Sequence, residues 1–146
     1  MKIHVMSRIN LERLLKKQTL DDKCAVISII DPINTYSTPT HPIVLDPHHT
    51  CHFLSLSFHD QIHQHEPQDG YILFDEETAK IVAEFITSAI KDDVQDIICQ
   101  CTAGICRSAG MAAAISQFYT GESGEYFKRY VPNTLVYKLM LMALNK

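Results

Sequence analysis

The stretch that decides the fold is residues 96–119, DIICQCTAGICRSAGMAAAISQFY. It begins with apolar, β-prone residues, passes through a short loop with a central glycine, and ends in small residues typical of a tightly packed helix. This order predicts a buried strand, a tight loop and a helix that lies close against a sheet. Within the loop, Cys101 stands six positions before Arg107, with Gly104 midway and Ser108 directly after.

The loop has the ingredients of a site for a tetrahedral oxyanion. Backbone N–H groups at the start of a helix favour negative charge. The guanidinium of Arg107 adds a planar fork that can contact two oxygens of one phosphate. A thiol in the same field ionises more readily, and the thiolate is the reactive nucleophile. The loop therefore predicts Cys101 as a nucleophile and Arg107 as a phosphate clamp.

The spacing of cysteine and arginine is weak evidence by itself, and the residues around it strengthen the prediction. Ile97 and Ile98 supply a buried strand before the loop. Gly104 permits a positive φ and a close approach of backbone to ligand. Ala109 and Gly110 allow the following helix to pack tightly. A strand, an anion loop and a helix N-terminus thus follow one another in the order that such a site requires.

Composition places the chain among globular proteins. Its 146 residues suit a single domain, residues 1–146, with 46% hydrophobic and 21% charged residues. A net charge of −4 does not favour binding to nucleic acid or to an anionic membrane. No apolar run reaches the length of a membrane span, and the first residues lack the apolar core of a signal peptide. We therefore expect a cytoplasmic monomer without nucleic-acid or membrane partners.

Cysteine and histidine usage argues against disulfides and metals. The five cysteines are an odd number, and three of them lie between residues 99 and 106, which favours reduced intracellular thiols. Seven of the eight histidines lie between residues 41 and 65 without a zinc-ligand spacing. We expect these to be exposed loop residues, with His59 or His63 near the mouth of the site, and we predict no metal.

Hydrophobic patterning predicts strands that alternate with helices. Strands are expected over residues 2–6, 24–30, 52–58 and from 96. Helices are expected after the N-cap Ser7, over 74–92 with Asp75 as N-cap, after the loop, around 128–129 and over 134–144. The helix over 74–92 should carry one apolar stripe formed by Ile81, Val82, Phe85, Ile86, Ala89 and Ile90. Residues 31–47 carry four of the six prolines and should be irregular, with a short strand at 43–45. The predicted fold class is α/β, a mostly parallel central sheet of about four to five strands flanked by helices. In such sheets ligands bind beyond the carboxyl ends of the strands, where Cys101 would lie.

Residues 101–108 resemble the signature loop Cys-x-x-Gly-x-x-Arg-Ser/Thr of the cysteine-dependent protein tyrosine phosphatases, especially their dual-specificity branch. Residues 127–133, FKRYVPN, resemble the basic segment and Pro-Asn pair that introduce the last helix of that branch. The resemblance covers about residues 50–146. It implies a protein tyrosine phosphatase-like fold and hydrolysis of phosphomonoesters through a phosphocysteine on Cys101, with no cofactor. The family usually has a histidine where this chain has Gln100.

The resemblance also implies a carboxylic acid that protonates the leaving oxygen and later activates water. Asp60 ends the predicted strand FLSLSFHD and is the first candidate. It precedes Cys101 by 41 residues, a longer separation than is usual in the family. Asp69 precedes it by 32 residues but lies in a polar loop without a strand before it. Asp60 is favoured, and Asp69 stays open.

The remaining loop residues have predicted supporting roles. The Ser108 hydroxyl is expected to donate to the Cys101 sulfur, and it can also cap the following helix, since the two roles are compatible. Cys106 and Cys99 are expected near the nucleophile, where a second thiol can trap its oxidised form as a disulfide. Substrate binding is assigned to the loop backbone and to the arginine, that is, to Thr102, Ala103, Gly104, Ile105, Cys106 and Arg107.

The expected partner is a phosphoprotein or a small phosphomonoester. The variable loop positions carry no lysine, which favours phosphotyrosine or a simple monoester over a highly charged inositol polyphosphate. Two other functions fit the same loop. A thiol oxidoreductase of the arsenate reductase or sulfurtransferase kind would depend on a second thiol rather than on Asp60. A catalytically silent module would only bind phosphate.

Overall fold

The computed structural model describes residues 1–32, 41–62 and 70–146. Strands and helices alternate along most of the chain, as the patterning predicts. In chain order the elements are β1 (Lys2–Ser7), α1 (Arg8–Lys17), β2 (Cys24–Ile30), β3 (His52–Ser57), α2 (Glu76–Lys91), β4 (Asp96–Cys101), α3 (Arg107–Thr120), α4 (Gly124–Arg129) and α5 (Thr134–Leu144).

The four strands of the described residues form one parallel sheet in the order β1-β4-β2-β3. The predicted α/β class with a parallel central sheet is therefore confirmed. Strand β2 lies between two neighbours and is buried at every position, as its continuous apolar run predicts. Because the strands are parallel, their carboxyl ends meet at one edge, where Ser7 of β1 lies opposite Cys101 of β4.

Alternate residues of the central strands contact two separate hydrophobic clusters. Ile27 and Ile97 lie in the larger cluster, which includes buried residues of α2, α3 and α5. Val26 and Ile98 lie in the smaller one, together with Leu11 of α1. The sheet is thus covered on both faces. The alanines of α3 are fully buried and let this helix approach the sheet closely, which brings its first turn to the end of β4.

Helix starts follow the predicted caps. The Ser7 hydroxyl accepts from the Asn10 N–H at 3.2 Å, and the Asp75 carboxylate accepts from the Thr78 N–H at 2.8 Å. The predicted apolar stripe of α2 is wrong at Ile81, which is 52% exposed. The buried residues of this helix (Ala79, Val82, Ala83, Ile86 and Ala89) form a narrower stripe, and Ile81 lies beside it.

The predicted short strand at residues 43–45 is wrong. These residues belong to no strand, and Ile43 is buried in the cluster beneath α1. Its apolar side chain packs against a helix rather than marking a strand. Within the described ranges, no helix has the length and apolarity needed to cross a membrane.

Candidate active site

The Cys101 sulfur lies at the centre of the loop between β4 and α3. Cys101 is the last residue of β4 and is 2% exposed. Its Sγ accepts a hydrogen bond from the Gly104 N–H at 3.2 Å and lies 3.1 Å from the Ser108 Oγ. The loop thus curls around the sulfur, with backbone N–H donors and one hydroxyl directed at it.

Gly104 is the position at which the loop requires glycine. Its φ is +71°, and a Cβ there would lie 2.5 Å from the backbone nitrogen of Ser7 and 2.6 Å from the carbonyl carbon of Met6. The loop therefore rests directly on the end of β1. The Arg8 N–H also donates to the Thr102 carbonyl at 3.2 Å. The positive φ expected of Gly104 is confirmed. The close approach seen here is to β1, and the expected approach of the loop backbone to a ligand stays a prediction.

Electrostatics favour the thiolate of Cys101. Burial alone would raise the pKa of this thiol. The hydrogen bonds from the hydroxyl and backbone N–H of Ser108 and from the Gly104 N–H, together with the charge of Arg107, outweigh burial and lower the pKa. The site therefore favours the thiolate form of Cys101, which its predicted role as nucleophile would require.

Ser108→Ala tests this arrangement. Without the hydroxyl donor, the Cys101 pKa should rise, so less thiolate is present at neutral pH. We expect alkylation of Cys101 by iodoacetamide at pH 7 to slow roughly tenfold, the equivalent of one charge-assisted hydrogen bond. The pH–rate profile should move to higher pH. Ser116→Ala, on the same helix, is the matched control, and an unchanged profile in Ser108→Ala would contradict the prediction.

Ser108 itself lies inside α3 rather than at its cap. The helix begins at Arg107, and Cys106 is the N-cap residue, without a side-chain capping bond. The prediction that Ser108 also caps the helix is therefore wrong. Its position one residue inside the first turn instead brings the hydroxyl to the Cys101 sulfur.

Arg107 is held by an aspartate that sequence reasoning missed. Arg107 is 5% exposed; its Nη1 donates to the Phe58 carbonyl at 2.8 Å and lies 2.7 Å from Oδ1 of Asp31. The second oxygen of Asp31 accepts from the Thr102 hydroxyl at 3.1 Å. Asp31 directly follows β2, the neighbour of β4. The rule that carboxyl ends of parallel strands meet at one edge could have found it.

Gln100, at the position where the resemblance would place a histidine, anchors β4 beneath the loop. It is fully buried and lies opposite Ser28 in the sheet register. The Ser28 hydroxyl donates to its Oε1 at 2.5 Å, and its Nε2 donates to the Ile29 carbonyl at 3.5 Å. The side-chain amide thus links the two central strands immediately before Cys101.

Asp60 lies at the rim of the same loop. Its Oδ1 accepts from the Asn133 Nδ2 at 2.8 Å. Burial raises the pKa of the Cys106 thiol to about 11, and the adjacent Asp60 carboxylate adds to this through its charge and a hydrogen bond. Cys106 belongs to the loop of residues 101–107, which we call the anion loop. The Asp60 carboxylate therefore lies next to this loop. Asp69 lies outside the described residues, so the choice between the two acids stays a prediction.

All five cysteines lie within the described residues and are free thiols. Cys99 is fully buried, and burial raises its pKa, so it has the character of a core residue. Its redox role and that of Cys106 stay predictions.

His59 corrects the expectation of exposed histidines. This side chain is buried. Its Nδ1 accepts a hydrogen bond from the Ile72 N–H at 2.8 Å, and its ring packs edge-on against Tyr71. His63 lies outside the described residues. Among the residues that the structure describes, no three His, Cys, Asp or Glu side chains converge as they would around a metal ion.

Comparison with solved structures agrees with this architecture. No family model matches the sequence, and no curated protein matches it. Among solved structures, the human tyrosine phosphatase-like serine/threonine/tyrosine-interacting protein is similar with a TM-score of 0.53 at 15% identity, over 93% of this chain and 83% of that one. Tk-PTP in its active form is similar with a TM-score of 0.53 at 14% identity, over 99% and 90%. The chain thus has the protein tyrosine phosphatase-like fold that its signature loop predicts.

Proposed function

We propose that the protein hydrolyses phosphomonoesters through a phosphocysteine formed on Cys101. The observation that carries this proposal is the position of the sulfur. It receives the Gly104 N–H and faces the Ser108 hydroxyl, in a loop that also holds the buried Arg107. A low-pKa thiolate and a guanidinium in one small loop are suited to attack on a phosphate.

The first chemical step transfers the phosphoryl group to sulfur. The loop N–H groups of residues 102–107 and the Arg107 guanidinium bind the non-bridging oxygens. The Cys101 thiolate attacks phosphorus in line, and the bond between phosphorus and the leaving oxygen breaks. Asp60, in its acid form, gives its proton to that oxygen, so the leaving group departs as a neutral alcohol or phenol.

The second step returns the enzyme to its starting state. Water attacks the phosphorus of phosphocysteine while the Asp60 carboxylate takes one of its protons. The S–P bond breaks, and the Ser108 hydroxyl stabilises the sulfur that leaves as a thiolate. Inorganic phosphate departs, and Asp60 is protonated again. During both steps, the contacts of Arg107 with Asp31 and Phe58 hold the plane of the guanidinium fork.

The rim of the loop favours an aryl substrate. Ile105 is 45% exposed and Val131 is 68% exposed, and the two are neighbours because the Val131 N–H donates to the Ile105 carbonyl at 3.2 Å. These two exposed apolar side chains, and the absence of lysine from loop positions 102–106, suit a phenyl ring better than a polyphosphate. We therefore propose phosphotyrosine, in a phosphoprotein or as a small aryl phosphomonoester, as the substrate class of a monomeric enzyme.

The two alternatives have less support. A thiol oxidoreductase would need a reactive second thiol, whereas the pKa of Cys106 is raised to about 11, with burial as the main cause. A silent phosphate-binding module has no use for an activated Cys101 or for a carboxylate beside the loop.

Asp60→Asn tests the acid role through its dependence on the leaving group. An amide cannot donate the proton that a phenol of high pKa requires, so kcat for phosphotyrosine should fall by about 10²–10⁴-fold. kcat for 4-nitrophenyl phosphate should fall much less, because its leaving group needs little protonation. Steady-state kinetics with both substrates measure the difference, and Asp22→Asn, an exposed aspartate on a distant turn, is the control.

Three outcomes of these kinetics would count against the proposal. Equal losses with both substrates would remove the acid role from Asp60. No loss with either would favour Asp69. Turnover that requires Cys106 and an added thiol reductant, and ignores Asp60, would favour the oxidoreductase.

A further inference from the structure

We propose that Asn133 is a positioning residue that fixes the general acid relative to the nucleophile. This inference rests on the proposed function. Asn133 is 3% exposed and lies immediately before α5. Its side-chain and backbone groups make hydrogen bonds to three separate parts of the site: the Asp60 segment, the first turn of α5 and the anion loop.

The orientation of the Asn133 amide is fixed by partners that can act in only one way. The Val136 N–H is a donor and lies 3.0 Å from the Asn133 Oδ1. The Gln61 carbonyl is an acceptor and lies 3.2 Å from the Nδ2. The NH₂ group therefore faces the Asp60 segment, where it also donates to the Asp60 Oδ1 at 2.8 Å.

The backbone of Asn133 is tied to the anion loop. Its N–H donates to the Cys106 carbonyl at 2.9 Å. A Cβ on Gly110 would lie 2.6 Å from the Asn133 carbonyl oxygen, so α3 and the segment before α5 are in direct backbone contact. One buried residue thus links the loop that holds the proposed nucleophile to the exposed carboxyl group of Asp60, which in its acid form is to protonate the leaving group.

This link has a chemical consequence for Asp60. Asp60 is exposed on an irregular segment, and without Asn133 its carboxyl group would be restrained less, through its hydrogen bond with the Cys106 thiol. The Asn133 amide holds Oδ1 in one place and thereby presents the second carboxyl oxygen in a fixed direction. A proton donor held in line with the leaving oxygen is effective only while that geometry is kept. Asn133 therefore acts on catalysis through Asp60, without itself contacting the substrate.

Asn133→Ser separates the two roles of this side chain. Serine is a good N-cap and keeps an acceptor for the Val136 N–H, but it lacks the NH₂ group that reaches Asp60. We expect kcat for phosphotyrosine to fall by about 10–100-fold, while kcat for 4-nitrophenyl phosphate changes by less than about threefold. The rate of Cys101 alkylation should stay unchanged. Asn10→Ser, on exposed α1, is the matched control.

A double mutant decides between positioning and a merely structural role. If Asn133 acts through Asp60, Asn133→Ser should add no further loss of kcat to Asp60→Asn. Asn133→Asp, which is isosteric and keeps the cap, replaces the donor by an oxygen facing Asp60. It should reproduce the selective loss for phosphotyrosine, and it serves as the test if Asn133→Ser does not fold.

The contrary results are distinct from a failure of the proposed function. Equal losses with both substrates, additivity with Asp60→Asn, or a changed rate of Cys101 alkylation would each overturn the positioning role. Activity that survives in Cys101→Ser would instead overturn the phosphocysteine mechanism and leave the hydrogen bonds of Asn133 without a catalytic meaning.

Discussion

Cys101→Ser should abolish hydrolysis of phosphotyrosine and 4-nitrophenyl phosphate, with kcat reduced by at least about 10⁴-fold. The donors at Gly104 and Ser108 lower the pKa of a thiol, but a serine hydroxyl is far too weak an acid for the same field to ionise it. The anion loop and Arg107 would be unchanged. The variant should therefore still bind phosphotyrosine, which equilibrium binding measures alongside turnover.

The covalent intermediate gives an independent check on the same residue. Rapid acid quenching of the unmodified protein in the presence of phosphotyrosine, followed by peptide mass spectrometry, should place the phosphoryl group on Cys101. Cys51→Ser, which alters a half-buried thiol outside the loop, should keep both the intermediate and the activity. Phosphate mapped to any other residue would refute the nucleophile assignment.

Arg107→Lys should lower kcat/KM by about 10³–10⁵-fold, the range found when a transition-state arginine is lost. Lysine keeps the positive charge but is a point donor that cannot contact two phosphate oxygens at once. It also cannot reproduce the contacts of Nη1 with the Phe58 carbonyl and Asp31. The Asp31 carboxylate would then stand beside the phosphate site with weaker compensation, which disfavours an entering dianion.

Kinetics and thermal unfolding together show whether Arg107→Lys loses activity or loses its fold. Arg13→Lys, at an exposed position of α1, is the control for the loss of a guanidinium. A folded Arg107→Lys protein with near-normal kcat/KM would contradict the clamp role. An unfolded one would show instead that the ion pair with Asp31 is needed for folding.

The fold was predictable because short segments of the sequence each specify one strand or helix. The continuous apolar run of β2 and the small residues of α3 each specify an element without reference to the rest of the chain. The caps Ser7 and Asp75 mark helix starts for the same reason. The prediction failed at residues 43–45, where a short apolar run packs against a helix. A run of that length does not distinguish strand pairing from simple burial.

The site was predictable only where its parts are contiguous in sequence. Cys101, Gly104, Arg107 and Ser108 belong to one loop whose spacing encodes its geometry. The partners of that loop are distant: the Thr102–Asp31 contact joins residues 71 apart, and the Asn133–Asp60 contact joins residues 73 apart. No local pattern encodes such pairings, which depend on how the strands are ordered and where the last helix begins.

The contact of Gly104 with the end of β1 links reactivity to the completion of folding. Since Gly104 lies against Met6 and Ser7, the loop reaches its final shape only after the first strand has paired with β4, more than ninety residues further along the chain. Before this pairing forms, we expect the Cys101 thiol to be less acidic and to react more slowly with an alkylating reagent. The rate at which that thiol is alkylated during refolding should therefore report the moment at which the first and last strands of the sheet come together.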